Sequence, residues 1–355
     1  NTNAYVSYAT ANLAAQGYMT FLSSATQNGS KYPVAAVGFQ KYDTSTPAVL
    51  VADPQYYPSN DNALYMVGLV PAQFDDVTTA TEQEGWKMAA DSLTASYVID
   101  GKTDIMAAAV TTMNNGTDAI QKSKASATVY PAFNFKHKLT LVNIKAYTPT
   151  QKEQAAWGKI TKIELVGVMA TSGSNLTNGV NNVCTVTLKD AAAAVSGAAA
   201  NVVVPFYHCA LNSDATPKLV YDDLKISNQD DKDADTDGVL YVPVEITAQA
   251  AGATTDYTST DAKYVAYSMI APFTTKDVTL PKANLKLIVY TEENTDGIEA
   301  KIENLYSDNT FATVFEGPTE GKKFDVTLKF VGKEITASAS VTDWEPVYAG
   351  EVEII

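Results

Sequence analysis

The chain has 355 residues, more than one hydrophobic core usually organises, so two domains are expected. It carries 25 basic and 40 acidic residues for a formal charge of −15, and every basic residue is lysine. That balance argues against a nucleic-acid surface, which needs clustered positive charge, and the lack of arginine removes the bidentate reader of phosphates and carboxylates.

Hydrophobic residues make up 46% of the chain, enough for packed cores. No apolar run approaches the roughly 18 residues of a membrane-spanning helix. The polar start Asn1-Thr2-Asn3 reads as a signal peptide that is either absent or already removed. Residues 4–13 read as a first strand, with Val6 and Tyr8 on one face, and residues 18–22 as a second. Residues 34–39 and 48–52 follow, then the Pro-punctuated loop Asp53-Pro54-Gln55-Tyr56-Tyr57-Pro58. Residues 63–70 form a compact buried strand that Pro71 ends, and residues 75–88 are the best helix candidate, interrupted by Thr and Gly. Residues 104–110 suit a central strand or a short helix, closed by Asn114-Asn115-Gly116. Small polar residues from 117 to 127 set a domain boundary near 128, giving an N-terminal domain over 1–128 and a C-terminal one over 129–355.

The second domain opens on residues 133–144, read as one strand. Phe133, Phe135, His137, Leu139 and Leu141 fall on one side, and Lys136, Lys138 and Thr140 on the other. Strands follow at 159–168 and 182–188; residues 191–200 are alanine-rich and suit a helix that Ser196-Gly197 weakens. Residues 202–211 are a buried run broken by Pro205, and 239–247, 263–269 and 284–290 are further strands. The closing unit alternates on both arms. Phe324, Val326, Leu328 and Phe330 lead to a turn at Gly332-Lys333, then Ile335, Ala337, Ala339 and Val341 return, which makes a β-hairpin with one buried face. A second apolar run, Val347, Tyr348, Val352, Ile354 and Ile355, follows Pro346. Coming after the fold is complete, it reads as a strand meant for another chain. Short strands between Gly, Pro, Asn and Asp turns give an all-β class of antiparallel sandwiches, not βαβ units.

Catalytic chemistry is thinly supplied. The histidines are His137 and His208, and a Ser-His-Asp or Cys-His site needs one of them as base. His208 adjoins Cys209, and neighbours on a strand point to opposite faces, so they are poorly placed as a pair. His137 sits on the apolar side of its strand, the place of a hydrogen-bonded core histidine. No catalytic residue, cofactor-binding residue or metal ligand is therefore assigned, and no cofactor is expected. Cys184 and Cys209 read as buried free thiols, with a disulfide between them as the other reading. Asp233, Asp235, Asp237 and Gly238 begin like a calcium loop, but position twelve is Val244 and Glu245 comes one residue late. A solvated acidic loop is the plainer reading. Asn115-Gly116-Thr117 and Asn175-Leu176-Thr177 fit the N-glycosylation pattern.

Four stretches carry a family resemblance. Phe135-Lys136-His137-Lys138-Leu139 resembles the strand that opens the second domain of Bacteroidales fimbrillins, the type V pilus subunits. Tyr56-Tyr57-Pro58 before Leu64-Tyr65-Met66-Val67 is similar to their Tyr-Tyr/Trp-Pro loop and strand, and Asp104-Ile105-Met106-Ala107 to the close of their first domain. Phe324 to Phe330, then Ile335 to the ending Val341-Thr342-Asp343-Trp344, is similar to their C-terminal hairpin. The resemblance implies two transthyretin-like or immunoglobulin-like β-sandwiches in a secreted, lipidated precursor that becomes a stalk or tip subunit of a surface fimbria. Its partners would be other fimbrial subunits and host or bacterial surface ligands, with the outer membrane reached only through the lipidated form. In the family a protease cuts after Arg and frees the first strand, and a neighbour's C-terminal strand fills the groove. With no Arg here, the cut lies upstream of Asn1, uses a Lys such as Lys31, or does not occur. Two other classes compete: a monomeric surface module that binds glycan or protein through its 20 Tyr and 3 Trp, and a secreted hydrolase with paired carboxylates.

Overall fold

The structure is a computed structural model. It describes residues 4–10, 25–27, 30–32, 36–39, 49–51, 61, 63–70, 86–88, 94–126, 128–168, 183–187, 192–196, 201–226, 241–270, 272, 285–302, 320–344 and 347–351. Nearly all of these lie in strands or the turns between them, so the chain is all-β, as its alternation and turn chemistry require.

Two sheets dominate. One has seven strands in the order Val347–Glu351, Ala132–His137, Met106–Val110, Leu64–Val70, Ala4–Thr10, Ala36–Phe39 and Val49–Val51. Every ladder in it is antiparallel. The second has eleven strands in the order Asn201–Pro205, Ile160–Val168, Leu285–Thr291, Asn294–Ile302, Glu334–Asp343, Lys322–Val331, Thr140–Tyr147, Lys263–Ile270, Tyr207–Leu211, Leu219–Ile226 and Tyr241–Val242. A four-stranded sheet joins Ala192–Ser196, Val183–Thr187, Thr94–Val98 and Lys87–Met88, and Ala25–Gln27 pairs with Ser30–Tyr32.

The large sheet is mixed where purely antiparallel pairing was expected. Thr140–Tyr147 runs parallel to Lys322–Val331 from Leu141↔Lys323 to Tyr147↔Lys329. Shorter parallel ladders join Asn294–Ile302 to Glu334–Asp343 and Leu219–Ile226 to Tyr241–Val242. The partners in the long ladder are far apart in sequence, so no tight turn dictates their direction.

The closing hairpin is as read. Its arms pair from Lys322↔Asp343 to Val331↔Glu334, and Phe324, Val326, Leu328 and Phe330 are buried on one face. Val326, Leu328 and Phe330 join Ile144, Ile160, Ile163, Leu287, Val289 and Ile335 in one core cluster. Leu69, Trp86, Tyr97, Ile105, Leu139, Leu141, Tyr267 and both cysteines make the other, which draws on residues either side of 128.

Residues 104–110 contain a central strand, Met106–Val110, one of the two forms expected there. Other elements differ from expectation. Ala192–Ser196 is also a strand, because pairing with Val183–Thr187 outweighs the helical preference of alanine. The helix expected at 75–88 falls outside the described residues except for the buried Trp86 and the strand Lys87–Met88. Among the described residues the α-helix is Gln151–Trp157, which carries a capping box: Thr150 accepts from the Glu153 amide, and Glu153 accepts from that of Thr150. Its Trp157 packs edge-on against Phe330 at 5.3 Å. Residues 133–144 are two strands, not one: the chain leaves the seven-stranded sheet after His137 and enters the large sheet at Thr140. The turn between sheets buries Lys138 and Thr140, which a single strand would have left on the polar side. The stretches 18–22, 53–58 and 233–238 and the Asn175 sequon lie outside the described residues.

Phe330→Ala is expected to cost about 3–5 kcal/mol in urea unfolding, through lost burial and the cavity left behind. Lys329→Ala, one residue away on the exposed face, should stay within about 0.5 kcal/mol. Equal effects would contradict the facing assigned to this strand.

Candidate functional site

The chain's crossing between sheets is where its chemistry-bearing residues gather. The approach is set by a turn at Asp100. Its Oδ1 accepts from the amides of Lys102 and Thr103 at 2.9 and 2.7 Å, and the Tyr207 hydroxyl donates to its carbonyl at 3.1 Å. Gly101 has φ +84, and its carbonyl accepts from Met269 N at 2.7 Å, which ties the turn to the large sheet.

From that turn the chain delivers Asp104 to His137. Nδ1 of the buried imidazole lies 2.9 Å from Asp104 Oδ1. An ionised carboxylate only accepts, so Nδ1 carries the proton and donates. The imidazole lies flat against Trp344, with ring centroids 3.6 Å apart and planes within 5°. Beside it, Lys138 is 6% exposed and its Nζ donates to Glu320 Oε1 at 2.9 Å, so the buried ammonium has its counter-charge.

The backbone closes the same corner. Lys138 N donates to Ile105 O at 2.8 Å, Gly321 N to Leu139 O at 3.0 Å, and Trp344 N to Gly321 O at 2.8 Å. Gly321 has φ +67, and a Cβ there would sit 3.4 Å from His137 O. Three of the four stretches that resemble fimbrillins thus meet: 104–107, 135–139 and 341–344. The fourth contributes Leu64–Val70, which pairs with Met106–Val110.

The second histidine makes a separate pair. His208 Nδ1 is 2.6 Å from Asp222 Oδ2, and Tyr267 donates its hydroxyl to the Asp222 carbonyl at 3.0 Å. Tyr221 packs edge-on against Tyr267 at 4.8 Å. Both histidines are thus oriented by carboxylates, as a hydrolase base would be. Cys209 does not serve either of them as a nucleophile. Cys209 is fully buried while His208 is half-buried on the other side of the strand. Burial, with Asp222 and Asp325 nearby, pushes its thiol up and keeps it protonated. Cys184 and Cys209 are both free and buried, and burial pushes Cys184 up to about 12. Asn115 lies in an exposed turn, with its side-chain amide donating to Asp118 Oδ2 at 2.8 Å. Among the described residues no cluster of three or more His, Cys, Asp or Glu is placed to hold a metal.

Sequence reading placed His137 on an apolar face but did not see its two partners. The available signal was one out-of-pattern residue in each motif: Asp104 before an apolar run, His137 among core positions, and Trp344 after an alternating strand.

No family model matches the chain, and no curated protein matches it. Among solved structures, it overlays on a proposed cell adhesion protein from Bacteroides uniformis at a TM-score of 0.47, with 12% identity over 97% of this chain and 91% of that one. A fimbrial protein from Bacteroides vulgatus gives 0.43, with 14% identity over 97% and 93%. The tip fimbrial protein Mfa3 from Porphyromonas gingivalis, with its C-terminus truncated, gives 0.32, with 12% identity over 96% and 99%. The neighbours are fimbrial and adhesion proteins.

His137→Ala is expected to lower stability by about 1–3 kcal/mol in denaturant unfolding. If His137→Ala or His208→Ala abolished a hydrolytic activity while leaving the fold intact, their structural reading would be wrong. The thiols give a pH test. A thiol raised from 9.0 to about 12 holds its proton more tightly folded than unfolded. Its stabilisation is complete below the unfolded value and is lost as pH rises toward the folded one. Unfolding free energy should therefore fall above pH 9 by up to about 1.4 kcal/mol per pH unit for each thiol. Iodoacetamide at pH 8 should label neither cysteine until the protein unfolds; rapid labelling of the native protein would contradict their burial.

Proposed function

We propose that this chain is a structural or tip subunit of a cell-surface fimbria, without catalytic activity, which joins other subunits by strand exchange and supports adhesion. The observation that supports the reading is that Ala4–Thr10 and Val347–Glu351 share one sheet but are held unequally in it. Among the described residues Val347–Glu351 is an outer strand there, held by one ladder to Ala132–His137: Ala132↔Glu351, Asn134↔Tyr348 and Phe135↔Val347. Ala4–Thr10 is an inner strand of that sheet, paired with Leu64–Val70 and Ala36–Phe39.

An outer strand held by one ladder can leave without breaking the sheet behind it, and strand addition uses the same backbone bonds in the new partner. The meeting of the fimbrillin-like stretches at the crossing supports the same reading, because it makes them parts of one structural unit. In this account the tail is the donor, and the place of residues 4–13 is the groove it fills in a neighbour. The N-terminal domain, 1–128, would offer that groove, and the C-terminal domain, 129–355, would carry the tail. The subunit would reach the surface as a lipidated precursor at the outer membrane.

Aromatic placement favours this reading over a glycan-binding module. Among the described residues, Trp86, Trp157, Tyr97, Tyr207, Tyr267, Phe135, Phe206, Phe324 and Phe330 are buried while Tyr221 is exposed, and stacking platforms need exposed rings.

Deleting residues 346–355 is expected to leave both core clusters folded and to stop end-to-end assembly, read by electron microscopy and light scattering. Val352→Asp with Ile354→Asp should do the same by burying charge at the joint between subunits. Long fibres forming from the truncated subunit at the wild-type rate would show that the tail is not the donor.

A further inference from the structure

We propose that Lys323 and Asn143 join in an intramolecular isopeptide bond, formed with loss of ammonia and assisted by Asp325, which ties the start of the closing hairpin to Thr140–Tyr147. The inference goes beyond the fimbrial reading and does not rest on it.

The parallel ladder sets the three groups side by side. Leu141 faces Lys323, and Asn143 faces Asp325. Side chains two positions apart on a strand share a face, so Lys323, Asp325 and Asn143 lie on one side of the large sheet. Asp325 stands between the other two. Its Oδ1 accepts from Asn143 Nδ2 at 3.1 Å, and its Oδ2 lies 3.7 Å from Lys323 Nζ. A lysine diagonal to its target across a ladder has the length to reach it.

Asn143 is fully buried, and its Oδ1 has no hydrogen-bond partner among the described residues. A carboxamide kept only for its hydrogen bonds would have both ends paired, because an orphaned buried carbonyl costs stability. Here the amide nitrogen is held and the carbonyl is left open. That is the arrangement acyl transfer needs: the leaving nitrogen is bonded to the acid that protonates it, and the same acid stands beside the attacking amine. Lys145, two positions from Asn143 on the same strand, is engaged elsewhere, with its Nζ 4.4 Å from the centroid of the Tyr264 ring. Lys323 is the amine that shares a carboxylate with Asn143.

The step balances. Lys323 Nζ bonds to Asn143 Cγ, and the Cγ–Nδ2 bond breaks. Two protons of the lysine ammonium pass by way of Asp325 to the departing nitrogen, which leaves as ammonium. One amide replaces another, with no oxidant, reductant or cofactor. The product closes a loop of about half the chain, so it restricts the unfolded state as other cross-links do.

Intact-mass spectrometry of the purified full chain under denaturing conditions should find it lighter than its sequence by one ammonia. The full sequence mass would overturn the proposal. A proteolytic digest should yield one branched peptide that joins Asn143 to Lys323. Ammonia loss mapped instead to a succinimide at the exposed Asn115-Gly116 pair would also overturn it.

Lys323→Arg and Asp325→Asn should each restore the full mass, while Lys145→Arg should leave the chain light. A light Lys323→Arg chain would overturn the assignment of the amine, and a full-mass Lys145→Arg chain with cooperative urea unfolding would do the same. If a variant at 323 or 325 does not fold, the wild-type mass and its branched peptide still decide the question.

Discussion

The structure depends on one backbone crossing, residues 137–140, where the chain passes from the seven-stranded sheet to the large one. Leaving a sheet strands amides and carbonyls that water cannot reach, and each must find a partner. Here Lys138 N finds Ile105 O, and Leu139 O accepts from Gly321 N. These bonds come from opposite directions, one from the end of the first sheet and one from the start of the closing hairpin. A crossing that needs both explains why segments so far apart in sequence are fastened at one corner. The charged and aromatic side chains there follow from that requirement. Asp104 and Glu320 sit in those same two segments, and each takes a cation or a ring N–H from the crossing strand.

The consequence for function lies in how unequally the two ends of the chain are held. The inner strand Ala4–Thr10 runs through six register pairs with Leu64–Val70 and two more on its other side. The tail has three pairs, interrupted by a register shift, on one side. Conformational order in a sheet scales with the ladders that must break to release a strand. The tail is thus released at less cost than the first strand, whose removal exposes two neighbours. A subunit that gives up one strand and accepts another needs this asymmetry.

Much of this was legible in the sequence because period-two alternation depends on burial on one face alone. The closing hairpin, Leu64–Val70, Ile160–Val168, Lys263–Ile270 and Leu285–Thr291 all stand within a residue or two of their expected bounds. What alternation cannot carry is a change of sheet. Residues 133–144 keep an unbroken pattern, yet the chain turns a corner inside it. The pattern survives because both halves are buried on that side, Phe135 and His137 before the corner and Leu139 and Leu141 after it. Thr94–Val98, Leu219–Ile226 and Asn294–Ile302 escaped notice because Ser, Asp and Gly at their half-exposed positions resemble turns. The Asp104–His137–Trp344 meeting was out of reach for a different reason. Its members are brought together by strand order in two sheets, which no local signal encodes.

Native-state amide hydrogen exchange on the monomer tests the central claim, that the tail is held by one ladder. The account predicts that residues 347–351 exchange faster than residues 4–10 of the same sheet. Residues 140–147, between two long ladders, should exchange only with global unfolding. Tail amides as slow as those of residues 140–147 would contradict it.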